Sequence, residues 1–445
     1  MEKLFKLKEH NTNVKTEIIA GITTFLAMAY ILAVNPGMLG IIPDGPGAPA
    51  IFMATALSAA IGTICMAFFA NYPVALASGM GLNAFFTYTV CLTMGYSYKV
   101  ALTAILIEGI IFMILSIFKF REALVNKIPK NLKLGITAGI GLFITIIALI
   151  NAGIVINNDS TLVGLGDLGS PQVVLAVVGL LIIGVLHHYK VKGDILIGIL
   201  ATWVLGIIAE LVGWYQGAVS LIPSLSWDAI KANFAAPALF QFDFGFVAKN
   251  FMSFAVVMFT FLYTDIFDTV GTLIGVAQKG NLLDQDGKLP RAGGALMADA
   301  VGTVAGACMG TSTVTSYVES SAGVAAGGRT GLTALTTGIL FLIAIPLAPI
   351  FLAIPSFATT PAMLFVGLLM LSAVTKMDFE GDIADAIGGF LAIVMMPFAY
   401  SIATGIMFAI VSWVVLKIFT GKFKDISPIM WISVALFAIY IYTLI

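Results

Sequence analysis

The sequence predicts an all-α polytopic membrane protein. Fourteen transmembrane segments form two sets of seven in an inverted repeat, with short strands in the broken third and tenth segments. Three observations predict this. Of the 445 residues, 60% are hydrophobic and 10% charged, where a soluble chain carries about 25% charged residues. Mean hydropathy is +1.05. Apolar runs of about 20 residues, the length a helix needs to cross a bilayer, follow one another along the chain. These numbers exclude a soluble enzyme, a disordered chain and a nucleic-acid binder. Cys65, Cys91 and Cys308 all lie in apolar runs, so neither a disulfide framework nor a zinc site is suggested. Three histidines do not support metal-centred chemistry, and no cofactor is expected.

The elements follow in order. A polar stretch, 1–17, carries Lys3, Lys6, Lys8 and Lys15. The apolar run after it is too long for a signal-peptide core, so it reads as a retained first span. The first seven spans are expected at 18–36, 51–70, 74–92, 100–118, 133–152, 172–188 and 194–213. A more polar connection, 214–249, contains Trp227, Asp228 and Lys231. The second seven are expected at 250–277, 292–310, 312–328, 330–353, 360–374, 383–399 and 401–419. A last apolar stretch, 428–445, is either a fifteenth span or an interfacial helix. With the N-terminus inside, 19 of the 22 basic residues fall in cytoplasmic loops, among them Lys119, Arg121, Lys127, Lys288, Arg291 and Arg329. Only Lys99, Lys231 and Lys249 fall outside. A wrong count would scramble this split.

Seven is odd, so two halves of seven must have opposite orientations. Short internal matches agree. Thr24-Phe25-Leu26 recurs as Thr260-Phe261-Leu262, and Ala56-Leu57 with Gly62-Thr63 resembles Ala295-Leu296 with Gly302-Thr303. Two spans are not ordinary helices. The tenth opens on Thr311-Ser-Thr-Val-Thr-Ser-Tyr-Val-Glu319, which is rich in strand formers. The third contains Pro73, Gly79 and Gly81. Non-helical backbone at membrane depth survives only where it is buried or lines a cavity. Two broken spans in corresponding positions point to a transporter's binding site; the rival reading is close helix packing by small residues. Asn83 precedes Glu319 by 236 residues and is expected to match it under the repeat.

A carboxylate inside the membrane needs a reason. Asp265 and Asp268, three apart in span 8, share one helical face. Glu319 belongs to the break in span 10. Three acids facing one cavity cannot all be ionised cheaply, so one is expected to carry a proton or coordinate a cation. Carboxylates also accept parallel N–H bonds from a flat heterocycle, such as the N1–H and amino edge of guanine. Phe25, Phe85 or Tyr317 could stack on such a ring. An anion carrier would instead want a basic residue at this depth. Asp299, beside the small residues Gly302, Gly306 and Gly310, reads as structural or as a support behind the site. Glu108, isolated in span 4, reads as a packing or gating bond. Asn83 either bonds a ring or satisfies broken backbone. His187 and His188 are expected at the interface. Asp382 and Asp385 open span 13, where acids suit a helix N-terminus.

These residues resemble a known family. The chain is similar to AzgA-type purine permeases, a branch related to the nucleobase–ascorbate transporters. The matching stretches are Gly21-Ile-Thr-Thr-Phe-Leu-Ala-Met-Ala-Tyr-Ile with Asn35-Pro36, Gly79-Met-Gly-Leu-Asn-Ala and Thr264-Asp-Ile-Phe-Asp-Thr-Val-Gly-Thr. Further matches are Arg291-Ala, Thr311-Ser-Thr-Val-Thr-Ser-Tyr-Val-Glu-Ser-Ser-Ala-Gly with Gly327-Gly-Arg-Thr, and Met395-Met-Pro397 with Tyr400-Ser-Ile. The resemblance implies a core domain of 18–118 and 250–353, and a gate domain of 119–213 and 354–419. An extracellular connection, 214–249, and a C-terminal loop and apolar segment, 420–445, complete the chain. It implies a multi-pass plasma-membrane protein that moves hypoxanthine, guanine or adenine with protons by alternating access. The substrate acids map to Asp265 and Glu319, with Asp268, Gly81, Asn83 and Ser320 supporting. Asp268, Asp265 or Glu319 would carry the coupling proton. Partners would be the purine, the proton and membrane lipid, with a homodimer through the gate by analogy.

Two rivals stand beside this reading. An anion carrier of sulfate type would share the fold, and a channel would share the topology. A symporter saturates with a purine and collapses with a protonophore; a channel does neither. A membrane-embedded enzyme would need a nucleophile–base or metal pair, which the sequence does not offer.

Overall fold

The computed structural model describes residues 2–117, 128–217, 220–223, 231, 234–280, 282 and 289–444. Lys119, Arg121, Lys127, Trp227, Asp228 and Lys288 of the sequence reading lie outside them.

The protein is mostly helical. The first span is two helices, α1 (Val14–Met28) and α2 (Ile31–Leu39), separated by a turn at Ala29–Tyr30. It starts earlier than the polar 1–17 stretch suggested. Glu17 lies in the first turn of α1 and is fully buried. Helix α3 (Ala48–Phe69) leads to strand β1 (Leu76–Ser78), then to the half-helix α4 (Met80–Ala84), which widens into a π-helix over Phe85–Thr93. Helices α5 (Tyr98–Ile117) and α6 (Lys130–Asn151) follow. A hairpin of β2 (Val155–Asn158) and β3 (Leu162–Leu165) comes next. The sequence reading had only a connection there, although Asn157-Asn-Asp-Ser160 between two apolar pairs is a hairpin signal. Helices α7 (Pro171–His188) and α8 (Asp194–Leu211) complete the first half.

Helix α9 (Phe251–Lys279) carries Asp265 and Asp268, and α10 (Ala292–Met309) carries Asp299. Strand β4 (Val314–Ser316) leads to the half-helix α11 (Ser320–Ala325). Then come α12 (Gly331–Ile343), α13 (Ser356–Leu371), α14 (Ile383–Phe398), α15 (Ile402–Phe419) and α16 (Pro428–Leu444).

Among the described residues, nine helices are long and apolar enough to cross a membrane, or ten with the bent pair Gly331–Ile343 and Ile345–Leu352. This is a multi-pass membrane protein. The expected fourteen spans are not all of that kind, because the third and tenth are strand plus half-helix. The apolar parts of α9 and α14, Phe251–Ile266 and Ile383–Phe398, are also shorter.

Two sets of helices pack mainly among themselves. In one, α3 lies against α10 and α12, α10 against α5, and α12 against α1. In the other, α6 lies against α13 and α14, α14 against α15, and α7 against α8 and α13. Helix α16, whose role the sequence left open, packs on α15 of one set and α9 of the other. Phe437 meets the Phe259 ring with centroids 6.0 Å apart.

At the ends of the helices, acids serve as caps. Asp382 accepts from Ala384 N–H at 2.9 Å, as its place at the start of α14 predicts. Lys417 and Lys422 both reach its Oδ2 at 2.7 Å and hold the Asp382 carboxyl well below the usual carboxylate range. Glu17 performs the same service between helices. Its carboxylate accepts from the N–H groups of Arg329, Thr330 and Thr333 at 2.8, 3.3 and 3.2 Å, capping α12 from α1.

Candidate functional site

The centre is the strand pair. β1 and β4 run antiparallel, with Ala77 opposite Thr315. Two three-residue strands leave outward N–H and C=O groups that have no water to bond. The helices beneath supply the partners. The Thr63 hydroxyl of α3 bonds both Leu76 O and Leu76 N–H, each at 2.9 Å. The Thr303 hydroxyl of α10 does the same for Val314, at 3.0 and 3.3 Å. Gly62 and Gly302 stand one residue earlier on each helix, where α3 and α10 cross. A Cβ on Gly62 would come 3.3 Å from Gly302 Cα, and one on Gly302 would come 3.2 Å from Gly62 Cα. The Gly62-Thr63 and Gly302-Thr303 match in the sequence is therefore one device used twice.

Side chains alternate along an extended segment, and β4 sorts its neighbours accordingly. Val314 faces the glycine crossing. On the other side, the hydroxyls of Thr313 and Thr315 approach carboxylates: Thr313 to Glu108 at 3.5 Å and Thr315 to Asp268 at 3.2 Å. Glu108 thus approaches the strand from α5. Tyr317 donates to Ser78 O at 2.5 Å, closing the sheet. Ser320 accepts from Ala75 N–H at 3.0 Å, fastening α11 to β1.

Glu319 sits at the N-cap of α11, and its side chain makes no capping bond. It accepts instead from the Tyr30 hydroxyl at 2.6 Å. Asp268, half-buried on α9, lies within electrostatic reach of Glu319, Tyr30 and Tyr317. Two carboxylates and two phenols therefore lie near one another beside the broken spans. Among the described residues, neither carboxylate has a Lys or Arg ion-pair partner.

Asp265 does not share that arrangement equally. It is fully buried and stands 3.4 Å from the Thr269 hydroxyl, which donates to Asp299 at 2.8 Å. The three acids expected on one cavity therefore divide, with Asp268 towards Glu319 and Asp265 towards Asp299. The physical reason is helix geometry: three residues leave a 60° rotation, enough to turn the earlier acid onto α10.

Asn83 accepts from the Ser78 hydroxyl at 2.7 Å, so it satisfies its own broken segment. It is not the positional match of Glu319. Leu76 and Val314 open the strands, 238 apart, and Gly79 and Glu319 cap the half-helices, 240 apart. The spacing of 236 lands Asn83 inside α4 instead. Gly81 lies against α6, where a Cβ would meet Ile140 Cγ2 at 2.6 Å. Of the ring-stacking candidates, Phe85 is buried edge-on against Phe261 at 4.8 Å, and Phe25 against Phe341 at 5.3 Å. His187 stands at the exposed end of α7, 2.7 Å from Asp194.

Sequence reasoning missed Tyr30, Thr315 and the two threonines below the strands. The sequence holds a signal for the first: Asn35-Pro36 late in the run warns of an irregular span. Asn35 is fully buried and donates to Thr55 at 2.7 Å and Thr311 at 2.8 Å, tying α2 to the same centre. No group of three or more potential metal ligands exists among the described residues.

Residues 15–408 match the profile of the Permease family of xanthine and uracil type. The chain belongs to that family. It is accordingly a permease rather than an enzyme. Its relatives cover nearly all of it. Adenine permease AdeP of Escherichia coli (strain K12) is 42% identical over 99% of this chain and 96% of its own length. Guanine/hypoxanthine permease PbuG of Bacillus subtilis (strain 168) is 42% identical, covering 99% of both chains. Among solved structures, the transmembrane domain of the cyanobacterial bicarbonate transporter BicA superposes with a TM-score of 0.67 at 16% identity. That match covers 88% of this permease and 97% of BicA's domain, and it shows the shared fold.

Proposed function

We propose that this permease imports purine nucleobases together with protons across the plasma membrane. The observation that carries the reading is the Asp268–Glu319 space. It offers hydrogen-bond acceptors without a basic partner, which suits a flat ligand rich in N–H groups and disfavours an anion. Relatives named for adenine and for guanine/hypoxanthine, at equal identity, support the purine class and leave the choice of base open.

In this reading Glu319 and Asp268 grip the base, and the grip the sequence assigned to Asp265 passes to Asp268. Gly81, Asn83 and Ser320 shape the walls. Asp265 and Asp299 hold the coupling proton. The Thr269 hydroxyl lies between the two acids, 3.4 Å from Asp265 and 2.8 Å from Asp299, which links them in one chain. The fold reading is a seven-plus-seven inverted repeat with a cytoplasmic N-terminus. The long helices, the bent pair, the two shorter apolar helices and the two strand-led segments together supply that number. The two packing sets are taken as core and gate, which move against each other to alternate access. Lipid surrounds both, and a homodimer forms through the gate.

The test is uptake of labelled hypoxanthine by cells expressing the protein, with adenine, guanine, uracil and sulfate as competitors. Purines should compete, sulfate should not, and a protonophore should collapse accumulation. Competition by sulfate alone would favour the anion carrier. Uptake that neither saturates nor needs the gradient would favour a channel.

A further inference from the structure

The first span turns at Ala29–Tyr30, beside the start of the tenth span's half-helix, and the turn has a residue of its own. Tyr30 stands between α1 and α2 and is 1% exposed. A tyrosine so deeply buried needs a partner for its hydroxyl. It finds one across 289 residues of sequence, at Glu319 Oε1, 2.6 Å away. A short O–H···O contact onto a carboxylate is the strong, charge-assisted kind.

Glu319 needs such a partner. It caps a half-helix, yet its side chain bonds none of that helix's N–H groups. The N–H groups of that helix therefore do not orient the carboxylate. Tyr30 does, from a different span.

We propose that Tyr30 is a positioning and specificity residue for the ligand. Its O–H fixes the Glu319 carboxylate at the junction of the broken spans. Committing that proton also sets the polarity of the pair. A hydroxyl whose hydrogen is donated has only lone pairs left to offer. Glu319 and Tyr30 together then present acceptors and no donor, and the edge of the ligand that meets them must bring N–H groups. Both parts rest on the purine reading of this site.

The experiment is equilibrium binding of labelled hypoxanthine, adenine and guanine to the purified full-length protein. Tyr30→Phe keeps the ring and removes only the hydroxyl. A hydrogen bond to a charged group is worth about 1.5–3 kcal/mol, so Tyr30→Phe should weaken binding about 10-fold or more. A coupling measurement separates positioning from packing. Glu319→Asp withdraws the carboxylate by one methylene, and in that background Tyr30→Phe should add less than about 2-fold. Wild-type affinity in Tyr30→Phe would overturn the proposal. So would a full 10-fold additional loss in the Glu319→Asp background. Failure of the wild type to bind any of the three purines would overturn the purine reading and this inference with it.

Discussion

The two strand-led segments, β1 with α4 and β4 with α11, share a scaffold and differ in chemistry. In each, a threonine from the helix beneath bonds both backbone groups of the residue that opens the strand, Thr63 for Leu76 and Thr303 for Val314. In each, a glycine one residue earlier lets the supporting helices meet. The cap of the half-helix is where they part: Gly79 in the first, Glu319 in the second. The same asymmetry holds one layer out, since α9 brings Asp265 and Asp268 to the second unit. The two units share a frame, and a few side chains distinguish the one that carries the proposed ligand acids.

The largest expected effect breaks that asymmetry directly. Glu319→Gln and Asp268→Asn should each lower saturable purine uptake at least about 100-fold while leaving the protein folded in the membrane, because each removes a carboxylate proposed to grip the ligand. Asn83→Ala, in the first unit, should cost less than about 10-fold, because Asn83 is spent on Ser78. Equal losses from both units would dissolve the distinction. Asp265→Asn sharpens the division within the second unit. Binding should persist within a few-fold, but accumulation driven by a proton gradient should fail. Accumulation at wild-type level would remove Asp265 from coupling.

The shared frame makes the opposite prediction. Thr63→Val and Thr303→Val each strand one buried N–H and one C=O, at a cost of about 1–3 kcal/mol. The two variants should lower thermal stability by similar amounts. A large loss from one and none from the other would mean that the resemblance between the units is only one of shape.

The smallest effect lies far from both units. Asp382→Asn should destabilise the protein by about 2 kcal/mol at neutral pH, since Lys417, whose side chain is 6% exposed, would lose a close partner. The folded carboxyl titrates below its unfolded value. Its contribution is therefore present at neutral pH, starts to fall below the unfolded carboxylate value and is fully lost only below the depressed folded one. The gap between wild type and variant in a melting series should begin to narrow only as the pH falls below about 4, and should still be open at pH 3.

How legible this was in the sequence follows from what carries each feature. The broken spans were readable because Pro73, Gly79, Gly81 and the Ser/Thr run at 311–316 contradict helix formation locally. The acids were readable because a carboxylate in an apolar run is costly wherever it points. Which acid faces which was not, since Asp265 and Asp268 differ only by a rotation that packing against α10 fixes. Tyr30 was hidden for another reason. Asn35-Pro36 marks the span as irregular without singling out Tyr30, and the partner of that hydroxyl lies 289 residues away. The spacing of 236 also misled, because the two units differ by insertions that no short match reveals.

The measurement that tests the central claim most directly is equilibrium binding of labelled hypoxanthine to the purified protein, wild type against Glu319→Gln. The account predicts saturable binding by the wild type and a loss of at least about 100-fold in the variant, with both proteins folded to the same extent. Binding by Glu319→Gln at wild-type affinity would contradict it.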